Sequence, residues 1–180
     1  MAIGLVVVSS KTGSTIVKYD EKFDVRFTIT NKSTLGEDSK ISSTPITVRP
    51  MITITCMDTK KTWIEGLERK ESGTIDADGA VDILYQENSI PTTGPDGKPL
   101  VPEDIIGDQS VYVQVKYQVP AYIDPNKPWL PIPEESGGAK TFERVFRVEA
   151  AVPPPVKKIF NPIIEIGEPK IGVPAPVGVA

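Results

Sequence analysis

The sequence predicts an all-β fold, an antiparallel two-layer sandwich, on three observations. Apolar and polar residues alternate with period two through several segments. No window of a dozen residues carries a helical stripe. Turn-forming residues separate the alternating runs at short intervals. With 180 residues, the chain has room for one domain plus an extension, and for a core that needs neither disulfide nor metal.

Short strands are expected at Gly4–Val8 and Ser14–Lys18, joined by "SSKTGST" as a hairpin. "KFDVRFTIT" follows, with Phe23, Val25, Phe27 and Ile29 on one face and Asp24, Arg26, Thr28 and Thr30 on the other. "ITVRPMITITCM" reads as a strand interrupted at Pro50, at an edge or bulge, because proline cannot donate to a ladder. Cys56 alternates with Ile52 and Ile54 and reads as a buried thiol; as the one cysteine it forms no internal disulfide. Strands are expected next at Thr62–Glu65, Ser72–Ile75 and Ala80–Tyr85. "VYVQVKY" places Val111, Val113, Val115 and Tyr117 together, and "TFERVFRVE" places Phe142, Phe146 and Val148 on a face shared with Arg144.

The segment "VKYDEKFDVRFTITNKS", Val17 to Ser33, resembles the second strand of CARDB-type, immunoglobulin-like adhesion and cell-surface modules. Those show a Gly-Glu turn, an alternating strand, then Asn and a small residue. Here Asp20-Glu21 holds the turn, Asn31 stands where the pattern expects it, and Lys32 replaces the small residue. "VYVQVKY" and "FERVFRVE" resemble the last two strands of such a sandwich. The resemblance spans Val6 to Glu149 and implies an immunoglobulin-like body over residues 1–149. It leaves out two long proline-rich connections, Gln86 to Asp108 and Pro120 to Lys140. Trp129, Leu130 and Ile132 in the second connection are costly to leave in water, so they are expected to fold back or to meet a partner.

Residues 150–180 read as an extended arm. They hold seven prolines, and "VPPP" favours an extended exit from the last strand. Ile163, Ile164 and Ile166 make the arm too apolar for an ordinary disordered tail. In "KIGVPAPVGVA" Ile171, Val173, Ala175, Val177 and Val179 share one face of a strand, while Pro174 and Pro176 both lie on the opposite hydrogen-bonding edge. Such a segment pairs through one edge and stops growth at the other.

Catalytic chemistry finds little footing. The chain contains no histidine, so Ser-His, Cys-His and common zinc arrangements are excluded. Lys11-Thr12-Gly13 has no Ser-x-x-Lys partner. Asp76, Asp78 and Asp82 around Gly79 are metal candidates, but the spacing fails a calcium loop and a hairpin turn explains them better. "GPDGKP" is a second turn, and the pairs Glu103-Asp104 and Glu134-Glu135 read as solvated loop charge. No enzyme activity and no cofactor are expected. A net charge of −4 with scattered Lys and Arg argues against nucleic acid. No run approaches a membrane span, and "MAIGLVVVSS" lacks the basic start of a secretory signal.

The expectation is a non-enzymatic structural subunit of an ordered assembly, a virion component (capsid, decoration or tail) or an extracellular one, partnered by copies of itself or by other structural proteins. Ile163, Ile164, Ile166, Ile171, Val173, Ala175, Val177, Val179, Trp129 and Leu130 form its expected interface. A filament or pilus subunit built by strand donation and an adhesin-like binding module are the alternatives.

Overall fold

The computed structural model describes residues 2–30, 46–69, 72–76, 79–118, 125–126, 128–131 and 138–151. The elements are β1 (Ala2–Ser9), β2 (Ile16–Lys18), β3 (Phe23–Thr30), β4 (Ile46–Cys56), β5 (Thr62–Glu68), β6 (Gly73–Ile75), β7 (Ala80–Asn88), α1 (Pro102–Ile105), β8 (Gly107–Gln118), β9 (Leu130–Pro131) and β10 (Ala139–Glu149). They form a three-stranded sheet, β1-β3-β7, and a larger sheet, β2-β10-β8-β4-β5, with β6 on β4 and β9 on β8. Pairing is antiparallel except between β2 and β10. The orders β1-β3-β7 and β10-β8-β4 correspond to A-B-E and G-F-C of the immunoglobulin sandwich.

Period two placed the interior correctly. Phe23, Val25, Phe27 and Ile29 of β3 are fully buried, as are Val111, Val113 and Val115 of β8, and Phe146 and Val148 join them. Phe23 packs edge-on to Trp63 at 5.9 Å and stacks with Phe146 at 5.9 Å. Cys56 is buried. Gln109 is a fully buried polar residue of this interior: its Oε1 accepts from Trp63 Nε1 at 2.8 Å, and its Nε2 donates to the Ile105 and Gly107 carbonyls. A buried amide satisfied in this way avoids the desolvation penalty of an unpaired one. Gly107 itself has φ +132, and a Cβ there would lie 2.2 Å from Asp58 Oδ2, so the entry to β8 requires glycine.

Several local expectations need correction. The Ser9–Ser14 turn forms, with Ser9 N–H donating to the Ser14 carbonyl at 2.7 Å and Gly13 at φ +70, but β1 and β2 do not pair with each other. Hydrophobic residues on each strand find separate sheets, so the turn is a crossover and not a hairpin. The turn at Asp76–Gly79 is likewise real, Gly79 N–H donating to the Asp76 carbonyl at 3.0 Å, yet it carries the chain from β6 in the large sheet to β7 in the small one. The first long connection is not bare: it contains a Thr93–Pro99 bridge closed around Asp96-Gly97, then α1.

Pro50 does not interrupt β4, which runs between β8 on one side and β5 and β6 on the other. Val115, its partner on β8, donates its N–H the other way, to Gly138 at 2.8 Å, so the Pro50–Val115 pair needs no ladder bond. The imide nitrogen faces the gap between β6, which pairs through Val48, and β5, which pairs from Met51. Tyr85 fills that gap: its hydroxyl donates to the Pro50 carbonyl at 2.7 Å and accepts from Arg69 N–H at 2.8 Å. Arg144 also departs from expectation. A four-residue step of β10, from Phe142 to Phe146, faces the two-residue step from Val111 to Gln109, and Arg144 adopts φ +53 in the resulting bulge and is exposed.

Candidate functional site

Of the metal candidates, Asp76 and Asp82 are exposed. Asp82 Oδ1 accepts from Thr28 Oγ1 at 2.7 Å, a cross-strand bond between β7 and β3. Asp78 lies outside the described residues, and among those described no cluster of three or more acidic, cysteine or histidine side chains could hold a metal ion. The arm positions Ile163, Ile164, Ile166, Ile171, Val173, Ala175, Val177 and Val179 also lie outside the described residues, as do Ile132, Glu134 and Glu135.

Trp129 and Leu130 are described, and the structure places both against the body. β9 pairs with β8 through Leu130–Tyr117 and Pro131–Lys116, which continues the line of β10 beyond its start. The Arg49 guanidinium lies 5.3 Å from the Trp129 ring centroid. Leu130 keeps 38% of its surface exposed. Beside them Glu68 holds Arg49 at 3.4 Å and Lys116 at 2.9 Å, so the outward face of β4, β5 and β8 carries an ion cluster with an aromatic cover. Sequence reading did not find this cluster, because Arg49, Glu68 and Lys116 are brought together only by the pairing of three strands.

Two open depressions lie at the two ends of β5. One, of about 410 Å³, is lined by Leu67, Glu68, Arg69, Leu84, Tyr85, Gln86 and Asn88. The other holds the Lys61–Asp96 pair at 2.8 Å. The Lys61 hydrogen bond draws the Asp96 carboxyl below the usual carboxylate range and raises the Lys61 ammonium above its own. Burial pushes the Tyr85 phenol up to about 12. These shifts belong to structural partners: Tyr85 spans the gap at Pro50, and Asp96 Oδ1 also accepts from Lys98 N–H at 3.1 Å inside its own turn. Among the described residues no buried side-chain polar atom lacks a partner.

The margins of the sheets differ more than the depressions do. β2 is three residues long. β5 carries Glu65, Glu68, a Gly66 at φ +62 and two register shifts against β4. β7 carries Asp82, Glu87 at φ +52 and a register shift against β3. β1 has eight residues, no charge, no proline, and unbroken register with β3. Its Val6 is 51% exposed. The sequence signal is visible in "AIGLVVVS", which reads as a short strand at Gly4–Val8, but nothing local shows that one side of it stays open. No protein-family model matches the chain, and no curated protein sequence matches it.

Proposed function

We propose that this protein is a non-enzymatic structural subunit of an ordered protein assembly, a virion component first, in which the arm of residues 150–180 laces the sandwich to neighbouring subunits. One observation carries the reading. Among the described residues, inward side chains from Ile3 to Val148 build the core of the sandwich. In sequence, the apolar positions from Ile171 to Val179 follow the one-edge pattern of a strand that pairs once. Trp129 and Leu130 add an apolar rim on the same body.

The test compares the intact chain with Val173→Asp and with a chain ending at Glu149, by size analysis and electron microscopy. The intact chain forms particles or fibres, and both variants remain small and folded. Particles favour the virion reading and fibres the strand-donating filament. A monodisperse intact chain would sink both, and would leave the adhesin-like module.

A further inference from the structure

We propose that the open margin of β1 is the receptor for the arm: the segment Ile171–Val179 of a second copy adds antiparallel to β1 as a fourth strand of the small sheet. This rests on the assembly reading above and names its docking site.

Among the described strands, the margins at β2, β5 and β7 carry devices that prevent strand addition, namely shortness, charge and broken register. β1 carries none of these. The direction of its backbone groups follows from its last residue. Ser9 N–H donates to Ser14 and the Ser9 carbonyl accepts from Gly13, so both groups point away from β3. Ser10 N–H, one residue on, points back toward β3 and reaches the Lys22 carbonyl. Backbone groups alternate between edges along a regular strand, and the register from Ala2 to Ser9 is unbroken. The N–H and C=O groups of Ile3, Leu5 and Val7 therefore face the open side, where no described strand pairs with them. The side chains of the same three residues point inward, Ile3 and Val7 into the core and Leu5 half-buried against it.

The arm fits this margin in one orientation. Its odd positions keep every N–H on one edge, and that edge is the one able to bond Ile3, Leu5 and Val7. In an antiparallel ladder, residues that exchange hydrogen bonds lie on the same face. Ile171, Val173, Val177 and Val179 then turn inward beside Ile3, Leu5 and Val7 and extend the core. Parallel addition would turn them to solvent. Pro174 and Pro176 present their blocked nitrogens to the new outer margin, which halts a further strand. Neither segment carries a charge between Ala2 and Ser9 or between Ile171 and Val179, so pairing strands no ion away from water. About 20 residues separate Ala151 from Ile171, an extended reach on the order of 60 Å. The prolines in that stretch stiffen it as a spacer, which favours a neighbour over a return to its own body.

The test is disulfide mapping in full-length chains under assembly conditions. Val6 points outward and faces an even arm position across a non-hydrogen-bonded pair, where Cα atoms lie about 4.5 Å apart, within disulfide range. Val6→Cys chains are mixed with chains carrying Gly172→Cys, Pro174→Cys, Pro176→Cys or Gly178→Cys, one at a time, and oxidised mildly. The expected result is an intermolecular disulfide with one of the four, identified by mass spectrometry and absent with Val173→Cys, whose side chain turns inward. Linkage only within a chain carrying both substitutions would place the arm in cis. Val6→Cys chains linked to each other would mean that margins pair directly, and linkage through Val173→Cys would mean that the opposite face docks. Each of these overturns the proposal. So does the absence of any link while Val173→Asp abolishes assembly, in which case the arm laces through another surface. Normal assembly of Val173→Asp would instead overturn the assembly reading itself.

Discussion

β3 and β1 run side by side in register over eight residue pairs, yet they live in different surroundings. β3 is bonded on both sides and buries Phe23, Val25, Phe27 and Ile29 completely. Among the described strands β1 is bonded on one side, and it leaves Leu5 half-buried and holds Val6 half in water. The difference separates two tasks that one sheet performs. The middle strand fixes stability, because removing its atoms leaves a cavity between two layers. The margin is where the proposed association would act, because its backbone groups face a side on which no described strand pairs. Substitutions should therefore divide: interior changes alter the melting point, and margin changes alter what the protein joins.

The largest effect belongs to the interior. Phe27 packs against Tyr85 with ring centroids 5.6 Å apart and is fully buried. Phe27→Ala should cost about 3–5 kcal/mol in denaturant unfolding. A loss below about 1 kcal/mol, the range of surface changes, would erase the contrast between the two strands.

That contrast was half legible in the sequence. Alternation needs only neighbours along the chain, so the inward residues of β3, β4 and β8 could be read directly. Long-range pairing could not. Nothing local tells that β1 and β2 part into separate sheets, that Gln109 will meet Trp63 forty-six positions away, or that Pro50 will sit where one neighbouring strand has ended and the next has not begun. The bulge at Arg144 escaped for the same reason, since two extra residues preserve the parity that sequence reading relies on. The alternation of the arm can be read along the chain, but the margin proposed to receive it cannot, because an open margin depends on which strands pair.

Tyr85 gives an intermediate effect and tests whether a side chain replaces the missing ladder at Pro50. Tyr85→Phe removes the hydroxyl from the Pro50 carbonyl and the Arg69 N–H and should cost about 1–3 kcal/mol. Burial raises the phenol to about 12 in the folded protein, above its ordinary value of about 10. The stabilisation from the neutral phenol is thus complete below the ordinary value and is lost as pH climbs through the raised one. In an alkaline titration followed by tyrosinate absorbance, Tyr85 should titrate late, and Tyr85→Phe should abolish that step.

Surface charges should matter less. Lys18 donates to Glu149 at 2.6 Å and Lys61 to Asp96 at 2.8 Å, and these hydrogen bonds lower both carboxyls. A lowered carboxyl stabilises above the unfolded value and loses that contribution as pH falls through the folded one. Carboxyl chemical shifts should show Asp96 and Glu149 titrating below the usual range, with only a slight change in melting point at neutral pH for Asp96→Asn. Chelator should leave the melting point unchanged, since Asp82 is already bonded to Thr28. A drop restored by calcium would make the turn after β6 a metal site.

The smallest effect on stability should accompany a large effect on association. Val6→Lys places a charge on the outward face of β1, where the native side chain is half in water, so unfolding free energy should shift by no more than about 0.5 kcal/mol. The lysine stem can lie along the sheet with its ammonium in solvent. A strand arriving beside β1 would bring Gly172, Pro174, Pro176 and Gly178 against that same face and would have to accommodate or desolvate the charge. Lysine on edge strands blocks sheet growth for this reason. Val7→Lys, one residue on, would thrust the charge among side chains that exclude water and should unfold the protein outright. The pair therefore sets margin against interior within a single dipeptide. If Val6→Lys melts like the native chain and assembles like it, the β1 margin is not where subunits meet.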